Sequence, residues 1–209
     1  MPSYPYRLVI FDFDGTLADS FPWFLDVFDH LADQFGFVKP DRSDLDMLRR
    51  LGPRELLKRL KVPLLKLPAI ATYTQRLQSA QIDRIVLFEG IAEVLRELKA
   101  RGVTLVVVTS NDAANVRTVL GEELSALIDH YACGSSLFGK ADKFKGVLKA
   151  FKVKPDEVLS VGDELRDIEA ARKTDIRVGA VTWGYALEDS LLSEKPDHVF
   201  GKPSDIVNI

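Results

Sequence analysis

Two aspartates, one residue apart, follow a short apolar run near the N-terminus. The segment IFDFDGT places Asp12 and Asp14 at the carboxyl end of that run. Residues two positions apart in an extended chain face the same way, so both carboxylates should project together. Gly15 then permits a turn and a close backbone approach. A polar turn would explain this segment alone, but two charges at a buried strand end are costly and favour a chemical role.

Polar residues also end two later apolar runs. The segment SVGDELRD places Asp163 after a run that should be buried, and Asp167 four residues later in the first turn of an expected helix. The segment LVVVTSN ends in two hydroxyls and an amide, those of Thr109, Ser110 and Asn111. If these runs are parallel strands of one sheet, their polar ends gather at the edge where open α/β sheets bind ligands.

The gathered carboxylates predict a magnesium site. Carboxylates that converge raise each other's pKa values, and a cation among them makes the cluster tolerable at neutral pH. Oxygen ligands without nearby histidine or cysteine favour a hard ion such as Mg²⁺. The segment FGKADKFK adds Lys140 and Lys143, which could hold further oxygens. Together these groups predict a site for Mg²⁺ and a phosphoryl group.

The apolar runs themselves predict parallel β-strands. Residues 7–13, 103–110, 157–163 and 178–183 are rich in Val, Ile, Leu or Phe without polar alternation. Such runs are typical of strands that are covered on both faces. Helical patterns lie between the later runs, and the alternation over residues 85–200 predicts a doubly wound, mainly parallel, Rossmann-like α/β sheet.

Residues 18–84 interrupt this alternation and predict an insertion made of helices. The first segment has one apolar helical face and should end near Gly36. Further helical patterns follow it, and the stretch contains no convincing strand. We therefore predict an all-helical cap over 18–84, with a catalytic core made of residues 1–17 and 85–209.

Composition and charge limit the class of protein. The chain has 209 residues, of which 46% are hydrophobic and 28% charged, and a net charge of −3. This balance suits one globular domain with or without an insertion, and it argues against nucleic acid as a partner. A lone cysteine, Cys133, allows no intramolecular disulfide. Because the chain shows neither a signal-peptide pattern nor a run of about 20 apolar residues, we expect a cytoplasmic protein without a membrane partner, monomeric or homodimeric.

The ordered motifs resemble those of the haloacid dehalogenase superfamily of phosphatases. DFDGT, the VTSN strand end, Lys140 and GDELRD follow the order of the four motifs of that superfamily, between Asp12 and about Tyr185. An insertion directly after the first motif resembles the type-1 cap of phosphoglycolate phosphatase-like and β-phosphoglucomutase-like members. The resemblance implies an Mg²⁺-dependent phosphatase that acts on a small phosphorylated metabolite, a phosphoglycolate-like monoester.

The resemblance also implies roles for the matching acidic residues. Asp12 would be the nucleophile that forms an aspartyl-phosphate. Asp14 would be the general acid that protonates the leaving alcohol and then the base that activates water. The Asp12 carboxylate, the Asp14 carbonyl and Asp163 would hold Mg²⁺, and Asp167 would support the metal or orient the lysine. Halide displacement is disfavoured, because it needs no acid in the position of Asp14.

Phosphoryl binding would fall to Ser110 and Lys140, with one alternative for each. Strand alternation favours Ser110, but a twisted strand end would present Thr109 instead. Many relatives read Gly-Lys-Pro where this chain reads Gly-Lys-Ala-Asp-Lys, so Lys143 is the alternative lysine. Backbone donors would assist, around Gly15 and Asn111.

The cap should decide the substrate, because it would close over the site and exclude water. Arg49 or Arg54, in the segment RRLGPRE, could meet an anionic substrate, and Asp19 could line the pocket. Surface positions on amphipathic helices explain the arginines equally well. Two alternative functions stay open. One is a sugar phosphomutase that uses the same aspartyl-phosphate, and the other is a non-catalytic regulatory protein with the same fold.

Overall fold

The core of the structure is a parallel sheet of six strands. A computed structural model describes residues 4–134 and 139–209. The strand order is β5-β4-β1-β6-β7-β8, and all the pairings are parallel. The strands of this sheet are β1 (Leu8–Phe11), β4 (Thr104–Val108), β5 (His130–Ala132), β6 (Val158–Gly162), β7 (Arg177–Val181) and β8 (His198–Phe200). The predicted doubly wound, Rossmann-like α/β fold is confirmed.

Helices cover both faces of this sheet. They are α5 (Ile91–Ala100), α6 (Ala113–Leu127), α7 (Lys140–Phe151), α8 (Leu165–Arg172) and α9 (Glu188–Ser193). Alternate residues of β1 enter different layers: Val9 joins the cluster that contains the apolar faces of α5 and α6, and Ile10 joins the cluster that contains those of α7 and α8. Both layers are apolar, so the central strands lack the polar alternation of a one-sided sheet.

Four further helices lie between the first strand of the sheet and the second. They are α1 (Phe21–Phe35), α2 (Leu45–Arg49), α3 (Pro53–Arg59) and α4 (Leu67–Ala80). Helix α1 ends at Gly36, which adopts the left-handed conformation (φ 76°) that favours glycine, as the sequence predicts. The described helices include none that is long and apolar enough to cross a membrane. The division of the chain into core and cap stays a prediction.

A short antiparallel ribbon joins this helical segment to the sheet. Strand β2 (Ala18–Asp19) pairs with β3 (Val86–Leu87), where the chain leaves and re-enters the core. The sequence predicts no strand over residues 18–84, and β2 shows that this prediction is wrong at its first two residues. Two residues are too few to show the alternation by which a strand is recognised, so only the pairing reveals β2.

Candidate active site

Three neighbouring strands bring the predicted polar residues to one edge of the sheet. Strand β1 lies between β4 and β6 in the strand order. Phe11 pairs with Val107 on one side and with Val161 on the other, so the three strands end at nearly the same level. The amide of Asp12 continues the ladder by donating to the Val161 carbonyl at 2.9 Å. Register alone therefore gathers groups that are far apart in the chain.

Three carboxylates form a buried cluster at this edge. Asp12, Asp163 and Asp167 are 4%, 0% and 1% exposed, and each offers an oxygen within 4.8 Å of the others. The Asp163 carboxylate accepts hydrogen bonds from the Thr16 hydroxyl at 2.6 Å and from the Tyr185 amide at 2.8 Å. An all-oxygen set of this kind fits a hard divalent cation such as Mg²⁺.

Lys140 lies within the acidic cluster, whereas Lys143 does not. The Lys140 ammonium lies 2.6 Å from an Asp12 oxygen and also contacts the Asp167 carboxylate. The Lys143 ammonium donates instead to the carbonyls of Thr109 and Gly134, at 2.6 and 2.7 Å. When the three carboxylates are ionised, the net charge of these carboxylates and the Lys140 ammonium is −2. A divalent cation would balance that charge.

The electrostatics of the cluster separate Asp12 from its neighbours. Burial and the nearby carboxylates raise the pKa of Asp163 well above its usual value. Burial also raises the pKa of Asp167, although Lys140 opposes that effect. Burial alone would raise the pKa of Asp12, but the Lys140 and Arg166 cations outweigh it and lower that pKa. Asp12 is therefore the carboxylate most strongly held in its charged form, which is the form that a nucleophile needs.

Asp14 points away from this cluster and toward α4. Its carboxylate oxygens accept hydrogen bonds from the Gln78 side chain at 2.9 Å and from the Asn111 side chain at 3.0 Å. Burial and the Asp12 carboxylate raise the pKa of Asp14, even though hydrogen bonds from Ser20, Asn111 and Gln78 favour the ionised form. A raised pKa suits a group that must carry a proton near neutral pH.

The hydroxyls that end β4 have different surroundings. Thr109 is buried, and its hydroxyl accepts the Asn111 amide hydrogen at 3.0 Å. Ser110 is half-buried, and its carbonyl accepts a hydrogen bond from the Gln75 side chain at 2.9 Å. Both line a small recess with Asp12. The Thr109 hydroxyl accepts a hydrogen bond in the turn but keeps its own proton to donate. The choice of Ser110 over Thr109 stays a prediction.

The predicted backbone donors are occupied within the chain. The Gly15 amide donates to the Ala18 carbonyl at 2.8 Å, and the Asn111 amide donates to the Thr109 hydroxyl. The tight turn after β1 and the turn after β4 use these groups. These two amides already have partners in this structure, and the assignment of phosphoryl donors to the backbone around Gly15 and Asn111 stays a prediction. The side chain of Asn111 donates a hydrogen bond to the Asp14 carboxylate.

Two glycines let the chain close tightly around Asp163. Gly15 has a positive φ of 77°, and a Cβ there would lie 2.2 Å from an Asp163 oxygen. A Cβ on Gly184 would lie 2.3 Å from the Asp163 Cβ and 2.4 Å from the Gly15 carbonyl oxygen. The backbone thus packs against this carboxylate from two sides, which fixes its orientation.

Replacement of Gly184 by alanine should lower the free energy of unfolding by about 1–3 kcal/mol, because the added methyl group overpacks the site. Gly146→Ala is the matched control, since Gly146 lies in α7 with no atom within 4 Å of an added Cβ. It should raise stability by about 0.5–1 kcal/mol through helix propensity. Urea denaturation of both variants measures the difference. Equal stability of the two variants would show that the Gly184 site has room.

An ion pair that the sequence did not predict lies next to the cluster. Arg166 contacts Glu164 through its Nε atom, and both side chains are about one quarter exposed, 23% and 25% respectively. Arg166 also lines the small recess together with Asp12 and Lys140. The sequence did carry one signal for this pair, because GDELRD places a positively charged residue, Arg166, between its two aspartates. The motif is defined by its two aspartates and the glycine before them, so nothing in that spacing singled out Glu164 and Arg166.

The structure also places the residues proposed for substrate selection. Arg49 donates to the carbonyls of Tyr185 and Gly184 at 2.7 and 3.0 Å and stacks on the Phe21 ring at 4.9 Å. It thereby joins α2 to the loop after β7. Arg54 lies at an exposed position of α3, and Asp19 is half-buried in β2, where burial raises its pKa.

The fold and the site together define a class of α/β enzymes with an acidic strand-end centre and an inserted helical segment. A family model described as "Haloacid dehalogenase-like hydrolase" matches residues 9–181. The chain belongs to this family of hydrolases. The predicted family and enzyme class are confirmed.

Individual relatives agree with this assignment. A phosphoglycolate phosphatase of Synechococcus elongatus is 31% identical, and the match covers 96% of this chain and 95% of that protein. The tyrosine-protein kinase PtkA of Mycobacterium tuberculosis is 30% identical over 88% of this chain, but only 64% of that protein is covered. The crystal structure of a predicted phosphatase from Clostridium acetobutylicum has the same fold, with a TM-score of 0.83 at 22% identity over 98% of both chains.

Proposed function

We propose that the protein is an Mg²⁺-dependent phosphatase that hydrolyses a small phosphate monoester through an aspartyl-phosphate. The main support is the acidic cluster with Lys140 inside it, at the end of three adjoining strands. The phosphatase relative, which is matched along nearly its whole length, supports the same reaction and makes phosphoglycolate the first ester to test. The kinase relative carries less weight because a third of its length lies outside the match.

Asp12 and Lys140 would act on the phosphoryl group. Asp12 is held ionised, so one of its oxygens attacks phosphorus while the bond from phosphorus to the alcohol oxygen breaks. Lys140 and the Ser110 hydroxyl bind phosphoryl oxygens as negative charge develops on them. Asp12, the Asp14 carbonyl and Asp163, supported by Asp167, would hold Mg²⁺, which when bound supplies positive charge to the phosphoryl oxygens.

Asp14 would move the protons in both halves of the reaction. Its raised pKa allows it to carry a proton, which it gives to the alcohol oxygen as that oxygen leaves phosphorus. The resulting carboxylate then takes a proton from water as the water oxygen attacks phosphorus. The bond between phosphorus and the Asp12 oxygen breaks, and inorganic phosphate leaves. The side chains of Gln78 and Asn111 orient Asp14 for both steps.

A screen for phosphate release over a panel of phosphorylated metabolites tests this function. We expect release from at least one ester with Mg²⁺ present and almost none after addition of EDTA, with recovery when Mg²⁺ is restored in excess. Analysis of the organic product separates hydrolysis from transfer to a second hydroxyl. A best ester that is cleaved equally well after chelation would contradict the proposal.

The contact between Arg49 and the core should matter for substrate capture. Arg49→Ala removes two hydrogen bonds from a charged donor, and we expect kcat/KM to fall by about ten- to a hundredfold, mainly through a higher KM. Arg50→Ala is the matched control, because Arg50 also reaches the core but pairs with Asp189 at the exposed surface, at 2.9 Å. Exposed pairs contribute little. Equal losses in steady-state kinetics of both variants would contradict a specific role for Arg49.

A further inference from the structure

A large cavity lies between the inserted helices and the catalytic edge of the sheet. Its volume is about 250 Å³, and its walls come from α1, α2, α3 and the core segments around Arg166 and Tyr185. Most of the wall consists of leucine and phenylalanine side chains, among them Phe24, Phe28, Leu48 and Leu57. A space of this size and lining suits an apolar guest.

The cations in the cavity wall are already engaged. Among the described lining residues, Arg49 donates to two backbone carbonyls, and Arg42 donates to the Leu25 carbonyl at 3.3 Å and lies 3.9 Å from Asp29. Arg166 is paired with Glu164. A guest with a second anionic group would therefore compete with existing partners, whereas hydrocarbon would displace only water.

The cavity adjoins the catalytic recess, and one side chain borders both spaces. Arg166 lines both spaces, and the recess on its other side is formed by Asp12, Ser110 and Lys140. Tyr185 also lines the cavity, and its amide binds the Asp163 carboxylate. A phosphoryl group at Asp12 would therefore lie in the space next to the cavity.

We propose that this cavity receives the alcohol part of the substrate and that this part is an apolar carbon chain or ring, not a short acid such as glycolate. The inference rests on the proposed function for the position of the phosphoryl group. It narrows the substrate to phosphate monoesters of apolar alcohols. Burial of each added methylene should then strengthen binding by about two- to fourfold until the cavity is full.

Binding of unbranched alkylphosphonates tests the inference without turnover. Calorimetry with Mg²⁺ present should show Kd falling by about two- to fourfold per methylene from methyl- to hexylphosphonate. Phosphonoacetate, which carries a second acidic group, should bind more weakly than propylphosphonate. Affinity that is independent of chain length, or stronger binding of phosphonoacetate, would overturn the inference.

Hydrolysis of the matching alkyl phosphates separates the two proposals. The alcohols of this series have similar leaving-group chemistry, so a rise of kcat/KM with chain length reports burial. If phosphonate affinity grows with chain length but no ester is cleaved, the proposed function fails and the cavity assignment stands. If esters are cleaved but neither affinity nor kcat/KM depends on chain length, the cavity assignment fails alone.

Filling the cavity should remove the dependence on chain length. Leu57→Trp places a larger side chain in the wall, and Leu25→Phe is a second variant in case the first does not fold. Leu65→Trp is the matched control, because Leu65 is 98% exposed outside the cavity. Leu57→Trp or Leu25→Phe should bind hexylphosphonate at least tenfold more weakly while methylphosphonate binding stays within twofold. Unchanged affinity for hexylphosphonate in a folded filling variant would count against the inference.

Discussion

Replacement of Asp12 by asparagine should abolish phosphate release, with a fall in kcat of about 10⁴-fold or more, the order seen when a nucleophile is removed. The amide of asparagine keeps the shape of the side chain and can still accept the Phe13 amide hydrogen, which Asp12 accepts at 2.8 Å. It is not a nucleophile toward phosphorus. Steady-state assays with the best ester from the screen measure the loss, and circular dichroism should show an unchanged fold.

A covalent readout makes this prediction specific. Mass spectrometry of wild-type enzyme quenched during turnover should find one phosphoryl group on the peptide that contains Asp12, and none in Asp12→Asn. Asp156→Asn is the control, because Asp156 is an exposed acid on the same protein and should keep full activity. Residual activity of Asp12→Asn above a tenth of the wild-type rate would exclude Asp12 as the nucleophile.

Replacement of Lys140 by methionine should remove both activity and a large part of the stability. The ammonium is buried between Asp12 and Asp167, which raise its pKa against the effect of burial. Without it, Asp12 and Asp167 keep the backbone amides of Phe13 and Glu164 as donors but lose the cation that pairs with both. Breaking a buried ion pair in this way costs about 3–5 kcal/mol. Thermal and urea unfolding measure the loss.

Lys143→Met is the matched control, and it also decides between the two lysines. Lys143 donates to two backbone carbonyls, so its loss should lower stability by a smaller amount and leave kcat within about tenfold of wild type. Added Mg²⁺ should raise the melting temperature of Lys140→Met more than that of wild type, because the ion supplies the missing positive charge. Loss of activity in Lys143→Met with full activity in Lys140→Met would reverse the assignment.

Most of the site residues that the sequence predicts directly follow strands, and Lys140 and Asp167 lie in the first turns of helices. Asp12 and Asp163 each come directly after an apolar run, and parallel strands of one sheet end at the same edge. Apolar runs and strand ends are local signals, so the sheet and its acidic edge could be predicted from short segments. The helical nature of the insertion followed from periodicity in the same way.

The missed features depend on contacts that no local pattern encodes. Gln78 reaches Asp14 across 64 positions of the chain, and its own helix gives no sign of that contact. The Glu164–Arg166 pair depends on how side chains fold back at the start of α8. The engaged amides of Gly15 and Asn111 are consequences of turn geometry, which the motif letters do not specify. Spacing thus predicts that the acidic strand ends meet, but it predicts neither the contact from Gln78 nor which donors are already used.

The hydrogen bond from Gln78 to Asp14 makes proton transfer by Asp14 depend on the position of α4. With α4 in place, this donor fixes the direction of the Asp14 carboxylate and opposes the rise in its pKa that burial causes; with α4 withdrawn, Asp14 would lose that donor and its fixed direction. If a bulky ester kept α4 from bringing Gln78 to Asp14, the ester would bind and dissociate without being cleaved. Discrimination among esters would then appear as differences in turnover number between compounds of equal affinity.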